Sequence, residues 1–126
     1  MRLPAGEDRD LGMRTRKFAA RIIRLYVSLP KRAEAQVIGK QLLRSGTSVG
    51  AHIAESNRGK SRADFVNKID GALQELDESL YWMNLLIDTE IVKADKLRGL
   101  MDESEQLIAV LVTIANRTRH SESKPT

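Results

Sequence analysis

An all-α, antiparallel up-down-up-down four-helix bundle is the fold that this 126-residue sequence predicts. Three features carry the prediction. Apolar residues recur at three- and four-residue steps through four long segments, the signature of helices that each bury one face. Short breaks at Pro30, at Asn57–Lys60 and before Ala94 separate those segments, and connections this short force antiparallel neighbours. No stretch alternates apolar and polar residues as a half-buried strand would. The expected organisation is a flexible N-terminus over 1–9, the bundle over 10–118 and a flexible tail over 119–126 (RHSESKPT).

The first helix is expected from about Asp10 to Ser28. Leu11, Thr15, Phe18, Ile22, Leu25 and Leu29 form one stripe, and Arg14, Arg16, Lys17, Arg21 and Arg24 take up much of the remainder. Pro30 stops the helix or opens the next. The second runs from about Arg32 to Ser56 and carries two neighbouring stripes, Ile38/Leu42/Ser45/Val49/His52 and Gly39/Leu43/Gly46/Gly50/Ile53. Its middle is built from small residues: Ser45, Gly46, Ser48, Gly50, Ala51 and Ala54. A glycine inside a helix costs about 1 kcal/mol relative to alanine, so the segment calls for close helix-to-helix packing, within the chain or between chains. A turn follows, with Gly59 expected as its left-handed residue.

Ser61 and Asp64 form a variant capping box that opens the third helix. It continues to about Asp88 through Phe65, Ile69, Ala72/Leu73, Leu76, Leu80, Met83 and Ile87. The fourth spans roughly Ala94 to Thr118 through Leu97, Met101, Ser104, Ile108, Leu111 and Ile114/Ala115.

Composition narrows the function. There are no cysteines, which removes disulfides, thiolate metal sites and cysteine nucleophiles. No apolar run approaches the ~20 residues of a membrane span, and the opening MRLPAGEDRDLGM lacks the apolar core of a secretory signal, so a cytoplasmic chain is expected. The net charge of +4 hides a segregation: residues 1–62 carry +9, 63–116 carry −7 and 117–126 carry +2. Such a split gives a basic surface and an acidic one. They neutralise each other within the fold or an oligomer, or the basic one attracts nucleic acid or an acidic partner.

The chemistry of known bundle sites is missing. A di-iron centre needs paired Glu-x-x-His motifs, whereas Val49 and Arg117 stand three residues before His52 and His120. A carboxylate-only site among Glu75, Glu78 and Glu103 is the weak remainder. The glycines of RSGTSVGAH lie within a helix, not between a strand and a helix as a dinucleotide site requires. No catalytic residue, cofactor or metal site is expected, and His52 reads as a hydrogen-bonded core residue.

Folding the second helix back on the third brings Arg44 level with Glu75 and within a turn of Glu78. Their pairing would fix register; the alternative is a solvated carboxylate of little energetic weight. Tyr81 and Trp82 read as packing or oligomer anchors in preference to base-stacking platforms. The candidate nucleic-acid contacts are Arg14, Arg16, Lys17, Arg21 and Arg24, the corner Lys31 and Arg32, and the turn cations Arg58, Lys60 and Arg62. Arg14, Lys17, Arg21 and Arg24 share a helix face suited to backbone phosphates, with nothing that points to base-specific readout. A solvated face is the other reading.

The string QLLRSGTSVGAHIAES, followed at the right distance by DFVNKI, E-x-x-E-S and YW, resembles the bacterial 23S rRNA intervening-sequence proteins over roughly residues 17–118. Arg44, Ser45, Gly46, Ser48, Gly50, Ala51, Glu55, Asp64, Phe65, Lys68, Glu75, Glu78, Tyr81 and Trp82 match the family pattern in place. His52 stands where Asn is usual, Ala54 where Glu is common, and Leu80 at a frequently polar position. The resemblance implies an up-down bundle that assembles as a homopentamer and has no known catalytic activity. A more distant similarity is to the accessory variability determinants of diversity-generating retroelements, which implies binding to nucleic acid and to a reverse transcriptase. RNA, a reverse transcriptase and further copies of the chain are therefore the expected partners, and Arg44, Gly46, Gly50, Glu75, Glu78 and Trp82 the expected structural residues.

Overall fold

The computed structural model describes residues 2–123, and all of its regular elements are helices. They are α1 (Ala5–Ser28), α2 (Ala33–Ser56), α3 (Arg62–Asp88) and α4 (Ala94–Ser123). Each packs antiparallel to its neighbours around a core of Leu, Ile, Val and two phenylalanines, Phe18 and Phe65.

Both outer boundaries differ from the expectation. α1 starts at Ala5 because the chain before it is tied down: Leu3 is buried and its N–H donates to Asn57 Oδ1 at 3.0 Å. Asn57 Nδ2 in turn donates to Asp8 Oδ1, so the α2–α3 turn clamps the first turn of α1. α4 continues through Ser123, with Thr118 buried. Of the expected tail, 124–126 lie outside the described residues.

The small residues of α2 serve two different contacts. A Cβ on Gly39 would stand 2.5 Å from Leu29 Cδ1, one on Gly46 2.8 Å from Ile22 Cγ1, and one on Gly50 3.0 Å from Thr15 Oγ1. That stripe is the seat of α1. On the neighbouring stripe Ser45 and Ser79 share a hydrogen bond of 2.9 Å in the α2–α3 contact, which satisfies two buried hydroxyls that an apolar core would otherwise penalise. For Ser45, Gly46 and Gly50 the close packing demanded by the sequence is thus made within one chain, whereas Ala51 and Ala54 stay exposed.

The turns are capped as local chemistry dictates, with one correction, at Gly59. As expected of the variant box, both side chains satisfy backbone N–H groups: Ser61 Oγ accepts from Asp64 N–H at 3.1 Å and the Asp64 carboxylate accepts from Lys60 N–H. Gly59 does not take a positive φ; among the described residues only Glu90 does, at 60°. Gly59 is needed instead for space, since a Cβ there would lie 3.2 Å from Asp64 Cβ, Phe65 N and Ser56 O. Glu90 occupies the left-handed position of a Schellman motif: Ile91 N–H donates to Leu86 O and Glu90 N–H to Ile87 O, both at 3.0 Å.

In α4 the expected stripe is buried at Leu97, Ser104, Leu111, Ile114 and Ala115 and differs at two positions. Leu100 and Leu107 are buried, while Met101 and Ile108 pack only partly against the core.

These packing relations set stability. Gly46→Ala should lower the unfolding free energy by about 1–3 kcal/mol through overpacking against Ile22. Gly12→Ala, where an added Cβ meets nothing within 4 Å, should raise it by about 0.5–1 kcal/mol. Glu90→Gly should also stabilise, by about 1 kcal/mol, because glycine relieves the left-handed backbone. Urea denaturation of the three variants checks all these signs.

Candidate nucleic-acid interface

The cations singled out from the sequence do not converge on one patch. Lys31 and Arg32 sit in the α1–α2 turn, whereas Arg58, Lys60 and Arg62 sit at the α2–α3 turn at the other end of the bundle. At 1.5 Å per residue the length of α1 keeps the two ends about 36 Å apart.

The α1 cations divide by direction. Arg14 faces α4 and is committed there: its Nε and Nη2 donate to the two Glu103 oxygens at 3.2 and 2.8 Å. This hydrogen bonding, with the Glu103 charge and against some burial, holds the guanidinium pKa above its ordinary value. Arg21 also leans over α4, where its Nη2 would lie 2.8 Å from a Cβ on Gly99. Arg16 turns towards α2 and lines a groove between the two helices. Lys17 and Arg24 face solvent. Arg32 pairs with exposed Glu34 at 3.3 Å. Among the described residues, Arg16, Lys17, Arg21, Arg24, Lys31, Arg58, Lys60 and Arg62 are exposed and have no ion pair.

Sequence reading missed the apolar residues between these cations. Met13, Ile23 and Val27 are 58%, 46% and 68% exposed. Met13, Ala20 and Val27 recur every seven residues with Ile23 alongside, so a second, outward line on α1 was readable beside the buried stripe.

The structural set lies on α2 and α3. Arg44 stands 3.6 Å from Glu75 Oε2 and 3.1 Å from Glu78 Oε2, and Glu75 is only 12% exposed. Almost one helical turn past His52, Glu55 accepts a hydrogen bond from Lys68 at 2.6 Å. That hydrogen bond, reinforced by the Lys68 charge, holds the Glu55 carboxyl below the usual carboxylate range. Trp82 is half-buried and meets Tyr81 edge to face, centroids 5.0 Å apart. His52 differs from expectation: it is half-buried, its ring lies against Gly71, and its Nδ1 has no hydrogen-bond partner. Close packing on Gly71, not hydrogen bonding, holds it. Glu75, Glu78 and Glu103 do not meet, since the first two turn to α2 and the third to α1; among the described residues no three ligating side chains are grouped as a metal would need.

The model of the 23S rRNA-intervening sequence protein family matches residues 7–113, nearly the whole bundle. The chain belongs to that family. A solved structure agrees: a protein of unknown function from the S23 ribosomal protein family of Bacteroides thetaiotaomicron is 38% identical, with a TM-score of 0.81 over 86% of this chain and 97% of that one. No curated protein is a significant match. Family membership accounts for the bundle; neither description names an activity.

Two measurements test the α2–α3 seam. Arg44→Met should destabilise by about 1 kcal/mol, since it removes the hydrogen bond to Glu78 and the cation 3.6 Å from the shielded Glu75 carboxylate, and adding Glu75→Gln should recover part of that stability. The depressed Glu55 carboxyl contributes stability above the ordinary carboxylate range and loses it as pH falls through its lowered value. In Lys68→Met its NMR titration midpoint should move upward.

Proposed function

We propose that this protein is a non-enzymatic, cytoplasmic homopentamer that holds RNA by its backbone phosphates. The observation that carries the reading is the set of exposed cations the fold does not use: Lys17, Arg21 and Arg24 on α1, Lys31 in one turn, and Arg58, Lys60 and Arg62 at the other. Cations spread along a rod suit a charged backbone, whose neutralisation releases counterions. Tyr81 and Trp82 are on α3 and not on α1 or the basic turns, so the reading rests on phosphate contacts and not on base stacking. The family's description, which ties it to intervening sequences of 23S rRNA, favours RNA over other polyanions.

The exposed Met13, Ile23 and Val27 favour a second reading, an oligomer that serves protein interaction without nucleic acid. A reverse transcriptase is a partner that either reading accommodates, as an RNA-bound protein in the first and as a direct contact in the second.

Fluorescence anisotropy with a structured RNA across a salt series decides between them. Affinity should fall steeply with salt, and removing one phosphate-binding cation should flatten the log–log slope by roughly 0.7–0.9. Lys17→Glu with Arg24→Glu should weaken binding and flatten that slope, with helix content unchanged by circular dichroism. Absence of binding at about 50 mM salt, where phosphate contacts are strongest, would overturn the RNA reading.

A further inference from the structure

We propose that the outer groove between α1 and α2 receives the outer α3–α4 surface of a second copy, so that copies join head to tail. The inference rests on the oligomeric part of the reading above and adds the faces that mate.

The groove holds about 260 Å³ and is lined by Gly12, Ala19, Thr47, Ala51 and Ala54, with Arg16 at its edge. Its small, apolar floor admits another helix at short range. Exposed Met13, Ile23 and Val27 extend the apolar surface along α1, as in the core of a protein interface.

Charge selects the occupant. Arg9, Arg16 and Lys40 are exposed on α1 and α2 without an ion pair among the described residues. The groove's acid, Asp8, is already held by Asn57. Asp77 and Asp88 on α3, with Asp102 and Glu105 on α4, are likewise exposed and unpaired among the described residues. Exposed Tyr81 and Val112 give that acidic side its own apolar contacts.

The two surfaces cannot neutralise each other within one copy. The order of the helices puts them on opposite sides of the bundle, and helix spacings of 8–10 Å with the flanking side chains separate them by about 20 Å. Screening sets in at about 8–10 Å at physiological salt. Between copies the same charges come into contact. Two different patches that complement each other make a heterologous contact, which closes into a ring when the rotation allows.

Light scattering on size-exclusion peaks of the full chain tests this. Ala51→Glu, on an exposed floor residue, should abolish assembly; so should Asp77→Lys with Glu105→Lys on the other face. Mixed together, the two variants should form a one-to-one dimer, because each keeps the face the other lacks. Arg16→Glu serves as a second groove variant if Ala51→Glu loses helix content. Undiminished assembly of the groove variants would overturn the inference and leave the oligomer reading standing, as would a mixture that stays monomeric. A monomeric wild-type chain would overturn both. Groove variants that assemble normally but no longer bind RNA would reassign the groove to nucleic acid.

Discussion

The distance between α2 and its two neighbours governs this bundle. On one side Gly39, Gly46 and Gly50 leave no room for a Cβ against α1; on the other, Ser45 meets Ser79 across a single hydrogen bond. Small residues let the α2 backbone approach both helices at once, and that closeness fixes the register of everything beside it. Arg44 is thereby set over Glu75 and Glu78, and His52 over Gly71. The α1–α4 side is closed differently. There long side chains span the gap, Arg14 to Glu103 and Arg117 to Glu7. Backbone proximity defines one half of the ring of helices and side-chain reach the other.

The ion pairs divide the charge into a part used within the fold and a part left over. Arg14–Glu103, Arg44–Glu75, Lys68–Glu55, Arg117–Glu7 and Arg119–Asp70 each join two different helices. Most are exposed, and exposed pairs contribute little stability, typically about 0–1 kcal/mol. Their value lies in orientation and register. The leftover charge is segregated as the sequence halves are, basic towards α1 and α2 and acidic towards α3 and α4. Charge that is not spent on stability acts on encounter and alignment with a partner.

What could be read from the sequence depended on how local its cause was. Helix periodicity and the Ser61 cap are written within a few residues of where they act. The start of α1 is not, because Leu3 and Asp8 are held by Asn57, some fifty positions on. In α4, leucines and isoleucines offer two adjacent apolar lines, and only packing against α3 and α1 selects Leu100 and Leu107 over Met101 and Ile108. The turn residues misled for a related reason: glycine is favoured both by positive φ and by tight space. At Gly59 space is the cause, while Glu90 takes the left-handed position without it. Among the candidate cations, the commitment of Arg14 to Glu103 was invisible because 89 positions separate them.

The proposed RNA binding and the proposed self-association both draw on α1, and helical geometry would let them coexist. Arg16 turns to the α2 groove, whereas Arg21 leans towards α4 and Lys17 and Arg24 face outward. Covering the groove would bury the apolar line of α1 but leave those cations, and both turns, open to solvent. Each added copy would then present the same few phosphate contacts at a fixed spacing. One such set, exposed and screened, holds a polyanion weakly. Repeated sets on one rigid assembly raise the effective concentration of every contact after the first. Assembly would therefore be the step that makes a dispersed basic surface useful, and the glycine seam that positions α1 on α2 shapes the groove on which the proposed assembly would depend.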